Sequence, residues 1–419
     1  EVIMKKLISL ICSSILFLSL NVKSQEISIM GWVGLFDFQK PGWEKMVDEF
    51  EKANPGVTIN YIGTPFEDTL NQATVAMLGN NSPDIIQVVS GWVPQLEAAG
   101  GLEPINNHLP SATINKFAEG AVNAVSFGDN VMALPWIPGP IVMGYNRNLL
   151  EQAGLDPNNP PSTWDEFTDA VNKVCALGDD IYGVSLRTFR HPNSAHWSIP
   201  IIWANGGELF DSDGNVSVNT PEVAKAYEWY RDTIKNGCSP DAFNVQETRA
   251  LFGQGRAGFI FEGPWLRGLV NKLSEGNLTV GSNADIWISS MPASADGRVR
   301  QIANSNMLVL SKNSKNKEMA AKFIDFILGN AETVEYYYET SQQPTTGRLD
   351  ILQSGKMAND EYLQAFVDVL PFSSAIPIKS PQFNAMMDAV IPSLQDIING
   401  GDTSKALKSA DRELKRIGF

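Results

Sequence analysis

Met132–Gly154 reads MALPWIPGPIVMGYNRNLLEQAG, and here the chain leaves one series of strands and helices and starts another. Pro135, Pro138 and Pro140 remove backbone donors and fix φ, so the segment is expected to run extended, as a crossing with Trp136 inside it. Beyond it, Ile141–Tyr145 has the composition of a strand. Asn146 offers an N-cap to a short helix Arg147–Ala153, and Gly154 offers its stop.

Upstream of the crossing, the pattern predicts a strand at Glu26–Met30, then a helix with Trp43, Met46, Val47 and Phe50 inward until Asn54-Pro55-Gly56 stops it. An alternating strand Val57, Ile59, Tyr61 follows, then a helix after Pro65 with Leu70, Thr74 and Met77 on one face, then the apolar strand Ile85–Val89. This alternation is that of a parallel sheet with both faces covered by helices, and ligands of such sheets bind past the carboxyl ends of the strands. Downstream, Thr163 and Glu166 form a capping box for a helix burying Trp164, Phe167, Val171 and Val174, and Tyr182–Leu186 returns as a strand. Arg187–Pro192 reads as a polar loop leading to His196-Trp197 and an apolar helix Pro200–Asn205. Thr220-Pro221 opens the helix Glu222–Asn236, Leu251–Trp265 reads as helix end, strand and loop, and Ile302–Leu310 holds another strand. Helices are expected at Lys317–Leu328, Asp360–Leu370, Pro381–Ile398 and Thr403–Ile417.

Residues 1–24 have the layout of a cleaved secretory leader: Lys5 and Lys6, the apolar run Leu7–Leu20, then Val22-Lys23-Ser24. Most of the 419 residues remain after its removal, more than a single core normally organises, so two lobes are expected. With 32 basic against 47 acidic residues and a net charge of −15, neither nucleic acid nor an anionic membrane surface is the expected partner. Cys12 falls within the leader and lacks the small-residue context of a lipoprotein site, which leaves Cys175 and Cys238. An exported protein is able to bridge such a pair, but the spacing alone leaves the bridge open. The only histidines, His108, His191 and His196, have no metal-ligand spacing, and no cofactor is expected.

Read in order, Glu49–Val57 (EFEKANPGV), Ser82–Val88 (SPDIIQV), Gly100–Ile105 (GGLEPI), Gly144–Pro157 (GYNRNLLEQAGLDP), Pro161–Phe167 (PSTWDEF), Phe252–Trp265 (FGQGRAGFIFEGPW), Ser311–Phe326 (SKNSKNKEMAAKFIDF) and Gly400–Leu407 resemble the extracellular solute-binding proteins of carbohydrate ABC importers, the family of maltose-binding protein. The resemblance implies an α/β periplasmic-binding-protein-like fold of two lobes joined by a hinge of three crossings. These are expected near Trp136–Ile141, Ile302–Leu308 and Gly355–Glu361, with residues 25–138 and 306–355 in one lobe and 139–305 and 356–419 in the other. It further implies a monomeric periplasmic carrier that closes on a mono- or oligosaccharide and delivers it to an inner-membrane permease. Maltose binders have an acidic residue where this chain reads Ser90-Gly91-Trp92, so a more apolar first-lobe wall is expected.

A sugar presents hydroxyls around its edge and C–H bonds on its faces, which calls for aromatic plates and a ring of hydrogen-bonding groups. Trp265, after Gly263-Pro264, matches the family's cleft aromatic. Trp197, Trp92, Trp32, Trp136 and Phe66 are further aromatic candidates, and Asp37, Ser90, Arg187, His196, Glu262 and Asn304 are the polar ones, all at strand ends or in facing loops. Trp43, Trp164 and Trp229 sit on apolar helix faces and are expected in the core. A glycosidase would need paired carboxylates, and none of the acidic residues stands in a recognisable catalytic motif. Tyr336-Tyr337-Tyr338 is similar to the adjacent tyrosines of ferric-ion carriers, but successive helical residues point apart, and packing is the expected role.

Overall fold

In the computed structural model, which describes residues 24–178, 180–211, 213–374 and 382–418, the chain first builds β1 (Gln25–Gly31), β2 (Val57–Gly63) and β3 (Ile85–Val89), with β1 parallel to both others. The expected leader lies outside the described residues but for Ser24. Short β4 (Leu102–Glu103) and β5 (Ala133–Ile137) complete the early strands of this sheet, and the late strand Asn306–Ser311 runs between β3 and β4, antiparallel to β3, β4 and β5. The sheet is therefore mixed and not wholly parallel. Its late strand enters from the second crossing, at the opposite end from a βα unit, and so runs against its neighbours.

β5 ends where the proline-rich crossing begins, and β6 (Val142–Asn146) starts the second sheet. β7 (Tyr182–Ser185), β8 (Ala257–Glu262) and β9 (Ile286–Ser289) complete it in the order β9-β6-β8-β7, and only the β7–β8 pair is parallel. The second lobe thus departs from the first lobe's pattern. The crossing explains it: a chain arriving through Pro138-Gly139-Pro140 enters β6 from the cleft end, against β8.

Both faces of each sheet are covered. In the first, Phe50, Trp136, Phe323 and Tyr337 pack on one side, and Leu70, Met77, Val88 and Leu96 on the other. In the second, Phe167, Tyr227, Phe259 and Leu394 pack on one side, and Phe252, Ile260, Tyr362 and Phe366 on the other. Two separately covered sheets are what two lobes require.

Local rules account for most of the helices. α1 (Lys40–Ala53) buries Trp43, Met46 and Phe50, and the chain turns at Gly56 with φ +88°. α2 (Phe66–Leu78) buries Thr69, Leu70, Ala73 and Met77, while the Thr74 hydroxyl donates back to the Leu70 carbonyl. Asn146 accepts from the Leu149 amide at the start of α3 (Arg147–Gln152), and the Thr163–Glu166 capping box opens α4 (Trp164–Cys175). The second-lobe helix expected at Pro200–Asn205 is α5, Pro192–Ala204, with Pro200 inside it. Its start lies earlier than expected, and it places His196 and Trp197 on a helix and not in a loop. Burial of Trp197, Ile199, Ile201 and Trp203 outweighs the hydrogen bond that Pro200 removes. The Sγ atoms of Cys175, at the end of α4, and Cys238 are bonded at 2.07 Å.

The first two crossings lie side by side. The Ile141 amide donates to the Ile302 carbonyl and the Asn304 amide to the Gly139 carbonyl, both at 2.9 Å, forming a short antiparallel ribbon between the lobes. A Cβ on Gly139 would sit 2.5 Å from the Asn304 carbonyl oxygen and 3.0 Å from the Trp265 ring, so only glycine allows this approach. Near the expected third crossing, Met357 and Leu363 pack in the first core while Tyr362 and Phe366 pack in the second.

Candidate functional site in the interlobe cleft

The turn after β1 is held by two side chains from neighbouring strands. Gln87, buried in the otherwise apolar β3, accepts through Oε1 from the amides of Trp32 (2.9 Å) and Val33 (3.1 Å). The Tyr61 hydroxyl accepts from the Gly34 amide and donates to the Gly31 carbonyl at 2.6 Å, and burial pushes its pKa up to about 12. With the backbone pinned, the Trp32 ring meets Phe66 edge-on at 5.1 Å and Trp92 at 5.9 Å. Phe66, at the start of α2, completes the trio by lying 5.1 Å from Trp92.

The opposite wall is built around one carboxylate. Glu262, at the end of β8, has no exposed surface. Its Oε2 accepts from Arg187 (2.9 Å) and from Arg249 Nε (2.8 Å), and its Oε1 from Trp265 Nε1 (2.6 Å) and the Gly263 amide (3.2 Å). Burial pushes this carboxyl's pKa up, but the two guanidinium charges and the hydrogen bonds outweigh it and leave it at about 2. Burial also pulls Arg187 below the usual arginine range while Glu262 holds it up, and it stays charged at neutral pH. The Arg187 guanidinium lies 3.7 Å from the ring centre of Trp197, whose indole N–H donates to the Phe261 carbonyl. α6 (Val245–Gly253), opened by a reciprocal capping box of Asn244 and Glu247, is what places Arg249 here.

Between the walls is a cavity of about 260 Å³. Trp32, Phe36, Phe38, Gln39 and Phe66 line it from the first lobe, Arg187, Trp197, Arg249, Trp265 and Leu269 from the second, and Asn304 and Asn306 from the hinge side. Gln343 also faces it. Trp265 is partly buried and packs against the main cores of both lobes, and Gly263 lets its ring fold back: a Cβ there would lie 2.5 Å from the indole. Contact between the lobes continues at the rim. Lys272 Nζ lies 3.2 Å from Asp37 Oδ2, and Arg267 of α7 (Leu266–Leu273) donates to the Tyr338 hydroxyl at 2.9 Å and pairs with Asp360.

Of the residues expected from sequence, Trp32, Phe66, Arg187, Trp197, Trp265 and Asn304 come together around the cavity. The others do not line it. Asp37 is at the exposed rim, and Ser90 opens a single 3-10 turn, Ser90–Trp92, its amide bonded to the Ser305 carbonyl. Trp92 lies behind Trp32 and Phe66. Trp136 is 1 % exposed and turns to the core beside Trp43. His196 stands behind Trp197, and burial together with the Arg187 charge lowers its imidazole to about 3, so it is neutral at pH 7. Glu262 acts from beneath the wall by holding Arg187, Arg249 and Trp265 in place. Among the lining residues that sequence reasoning passed over are Phe38, Gln39, Arg249, Asn306 and Gln343. The Asn244–Glu247 capping box was a legible signal for the helix carrying Arg249; the glutamines have no comparable mark.

Two α/β lobes, hinged by paired crossings and enclosing a cavity walled by aromatic and hydrogen-bonding groups, define a two-lobed solute-binding protein. Residues 39–334 match the model of the bacterial extracellular solute-binding proteins, and the chain belongs to that family. Among solved structures it is similar to an ABC transporter solute-binding protein from Thermotoga lettingae TMO bound with α-D-tagatose, at 25 % identity and a TM-score of 0.84 over 94 % of this chain and 99 % of that one. A maltotriose-binding protein of Pyrococcus abyssi is 23 % identical over 382 residues, 89 % of this chain and 78 % of its own length. The sn-glycerol-3-phosphate-binding periplasmic protein of Agrobacterium fabrum is 29 % identical over 215 residues, 49 % of each chain. Among the described residues no helix is long and apolar enough to cross a membrane.

Proposed function

We propose that this protein captures a sugar, a mono- or oligosaccharide, in the interlobe cleft and hands it to the membrane permease of an ABC importer. The observation that carries this reading is the pairing of aromatic faces, Trp32, Phe66 and Trp265, with hydrogen-bonding groups of Asn304, Arg249 and Gln343 around one cavity. Stacked rings suit the C–H faces of a pyranose, and the polar groups suit its hydroxyl edge. The protein works as a free monomer in the periplasm after loss of its leader, with no lipoprotein anchor, no cofactor and no catalysis. The lobes divide at residues 138–139, 305–306 and 355–356, and closure presents the loaded form to the permease, whose partner ATPase supplies the energy. Carbohydrate relatives and the acidic charge, unsuited to nucleic acid, support this reading.

A thermal-shift screen over D-tagatose, maltose, maltotriose, glycerol 3-phosphate, amino acids and ferric ion tests it. A ligand at a hundred times its Kd adds about 2.7 kcal/mol to stability, which is readily seen as a rise in melting temperature. A shift with amino acids or iron alone overturns the sugar reading. Oligosaccharides recovered intact after long incubation support a carrier, and cleavage products overturn it. Small-angle scattering with the bound sugar is expected to show contraction; an unchanged profile at saturation overturns closure.

A further inference from the structure

Polar side-chain atoms buried without a partner are uncommon in folded proteins, and each one asks for an explanation. Among the described residues, two glutamines facing the cavity carry such atoms: Gln39 through Oε1, and Gln343 through both Oε1 and Nε2. Gln343 has no exposed surface and Gln39 is 5 % exposed. Because both ends of the Gln343 amide lack a bond, the observation holds whichever way the amide is turned.

The backbone at both positions is firmly held. Gln343 follows Gln342, which has φ +60° at the end of the helix Ala331–Ser341, and precedes Pro344. Its own amide donates to Ser341 Oγ, and the Ser341 hydroxyl reaches its carbonyl. Gln39 is the N-cap of α1, its amide donating to the Phe36 carbonyl and its carbonyl accepting from the Trp43 amide. Two rigid supports, drawn together from opposite ends of one lobe's sequence, thus hold unpaired amides at the wall of a cavity that aromatic rings, Arg187, Arg249, Asn304 and Asn306 also line. The Tyr337 hydroxyl lies close to Gln343, but the two do not meet in hydrogen-bonding geometry.

We propose that Gln343, with Gln39 on the wall of the same cavity, determines specificity by engaging two adjacent hydroxyls of a neutral sugar. This rests on the sugar reading above and names the feature recognised, a vicinal diol at the end of the ligand that enters the first lobe. One hydroxyl accepts from Gln343 Nε2 and donates to Gln39 Oε1, and its neighbour donates to Gln343 Oε1. An amide offers both a donor and an acceptor, which a hydroxyl pair satisfies. A carboxylate ligand supplies no donor for the two oxygens, and an ammonium no acceptor for Nε2. A site built this way rejects an analogue lacking the hydroxyl, because the buried amide is then left unpaired.

The test uses Gln343→Leu and, as a second variant, Gln39→Met, in the full mature chain. Calorimetry is run with whichever of D-tagatose, maltose or maltotriose binds the wild type most tightly, and with that sugar's deoxy analogues. The expected result is a Kd weakened about ten- to a hundredfold in Gln343→Leu. The wild type's preference over one deoxy analogue collapses in the same variant, while the ligand-free melting temperature stays level or rises. Wild-type affinity and selectivity in both variants overturns the proposal. So does a fall of several degrees in the ligand-free melting temperature of Gln343→Leu, which assigns the amide to Tyr337 and needs no ligand to be known. If the wild type binds none of the three sugars but binds glycerol 3-phosphate, the sugar reading fails and this inference fails with it. Sugar binding with unaltered variants overturns the inference alone.

Discussion

The two walls of the cleft are made rigid by opposite means. On the first-lobe side, Trp32, Phe66 and Trp92 hold one another through ring contacts, and the turn beneath them is fixed by neutral groups, Gln87 and Tyr61. On the second-lobe side, Trp265 and Trp197 are held by a buried carboxylate and the guanidinium groups beside it. Apolar packing positions a ring at little electrostatic cost and is indifferent to pH. A buried ionic cluster orients its members sharply but depends on every partner being present and charged.

The largest effect is expected where that dependence is broken. Glu262→Ala leaves Arg187 and Arg249 without their buried counter-charge and is expected to cost about 3–5 kcal/mol, read by chemical denaturation. The pH profile sharpens the same point. The Glu262 pKa is lowered to about 2 in the folded protein from its usual 4.5, so its contribution is complete above about pH 4.5 and is lost as pH falls towards 2. His196, lowered to about 3 from 6.5, adds a loss that begins as pH falls below about 6.5, because only the unfolded chain then takes up the proton. Stability measured from pH 8 to 3 should fall less steeply below pH 6.5 in His196→Gln and less steeply below pH 4.5 in Glu262→Gln. Profiles that overlay the wild type would show that these groups do not carry the acid sensitivity.

A second asymmetry is covalent. The bridge Cys175–Cys238 closes a sequence separation of 63 residues within the second lobe, and the first lobe's described residues contain no cysteine. Replacing both cysteines by alanine is expected to cost about 2–4 kcal/mol, and intact-mass analysis of protein recovered from the periplasm, with and without reductant, reports whether the bridge forms there. Two free thiols would remove this difference between the lobes.

Trp265→Ala tests the ligand-facing side of the comparison. An aromatic anchor in a desolvated cleft is expected to contribute about 2–4 kcal/mol, or roughly thirty- to a thousandfold in affinity by calorimetry. Trp43→Ala is the control: it is 4 % exposed in the first core and is expected to lower the melting temperature without selective loss of binding. Since Trp265 also packs against both cores, a variant that melts like the control and binds like the wild type would assign it to packing alone. The smallest effect is expected at the rim, where Asp37 and Lys272 are largely exposed, and Asp37→Ala should change affinity less than about fivefold and only at low salt.

The passage from the first sheet to the second was legible because it is written in local chemistry. Pro135, Pro138 and Pro140 forbid a continuous helix, and Asn146, Thr163, Thr220 and the glycines near them cap elements through neighbours a few residues away. Trp136 shows where this legibility stops. It was expected inside the crossing but stands in β5, just before it, and the face it takes was not readable either, because all of Ala133–Ile137 is buried and alternation alone does not say which core receives the ring. Ser90 and Trp92 were likewise placed at the right strand end, yet Trp92 became the support behind Trp32 and Phe66.

By itself, then, the sequence determined the alternation of strands and helices, the proline-stiffened crossing, the family resemblance and the aromatic candidates at strand ends. All of these follow from interactions between residues close in the chain or from patterns shared along its length. Only the tertiary structure decided that the sheets are mixed, that Glu262 lies under the wall and not in it, and that Gln39, Arg249 and Gln343 share one cavity. Those facts depend on distances between segments tens to hundreds of residues apart, set by how the crossings fold the lobes together, and a glutamine's neighbours in sequence say nothing about whether its amide will find a partner.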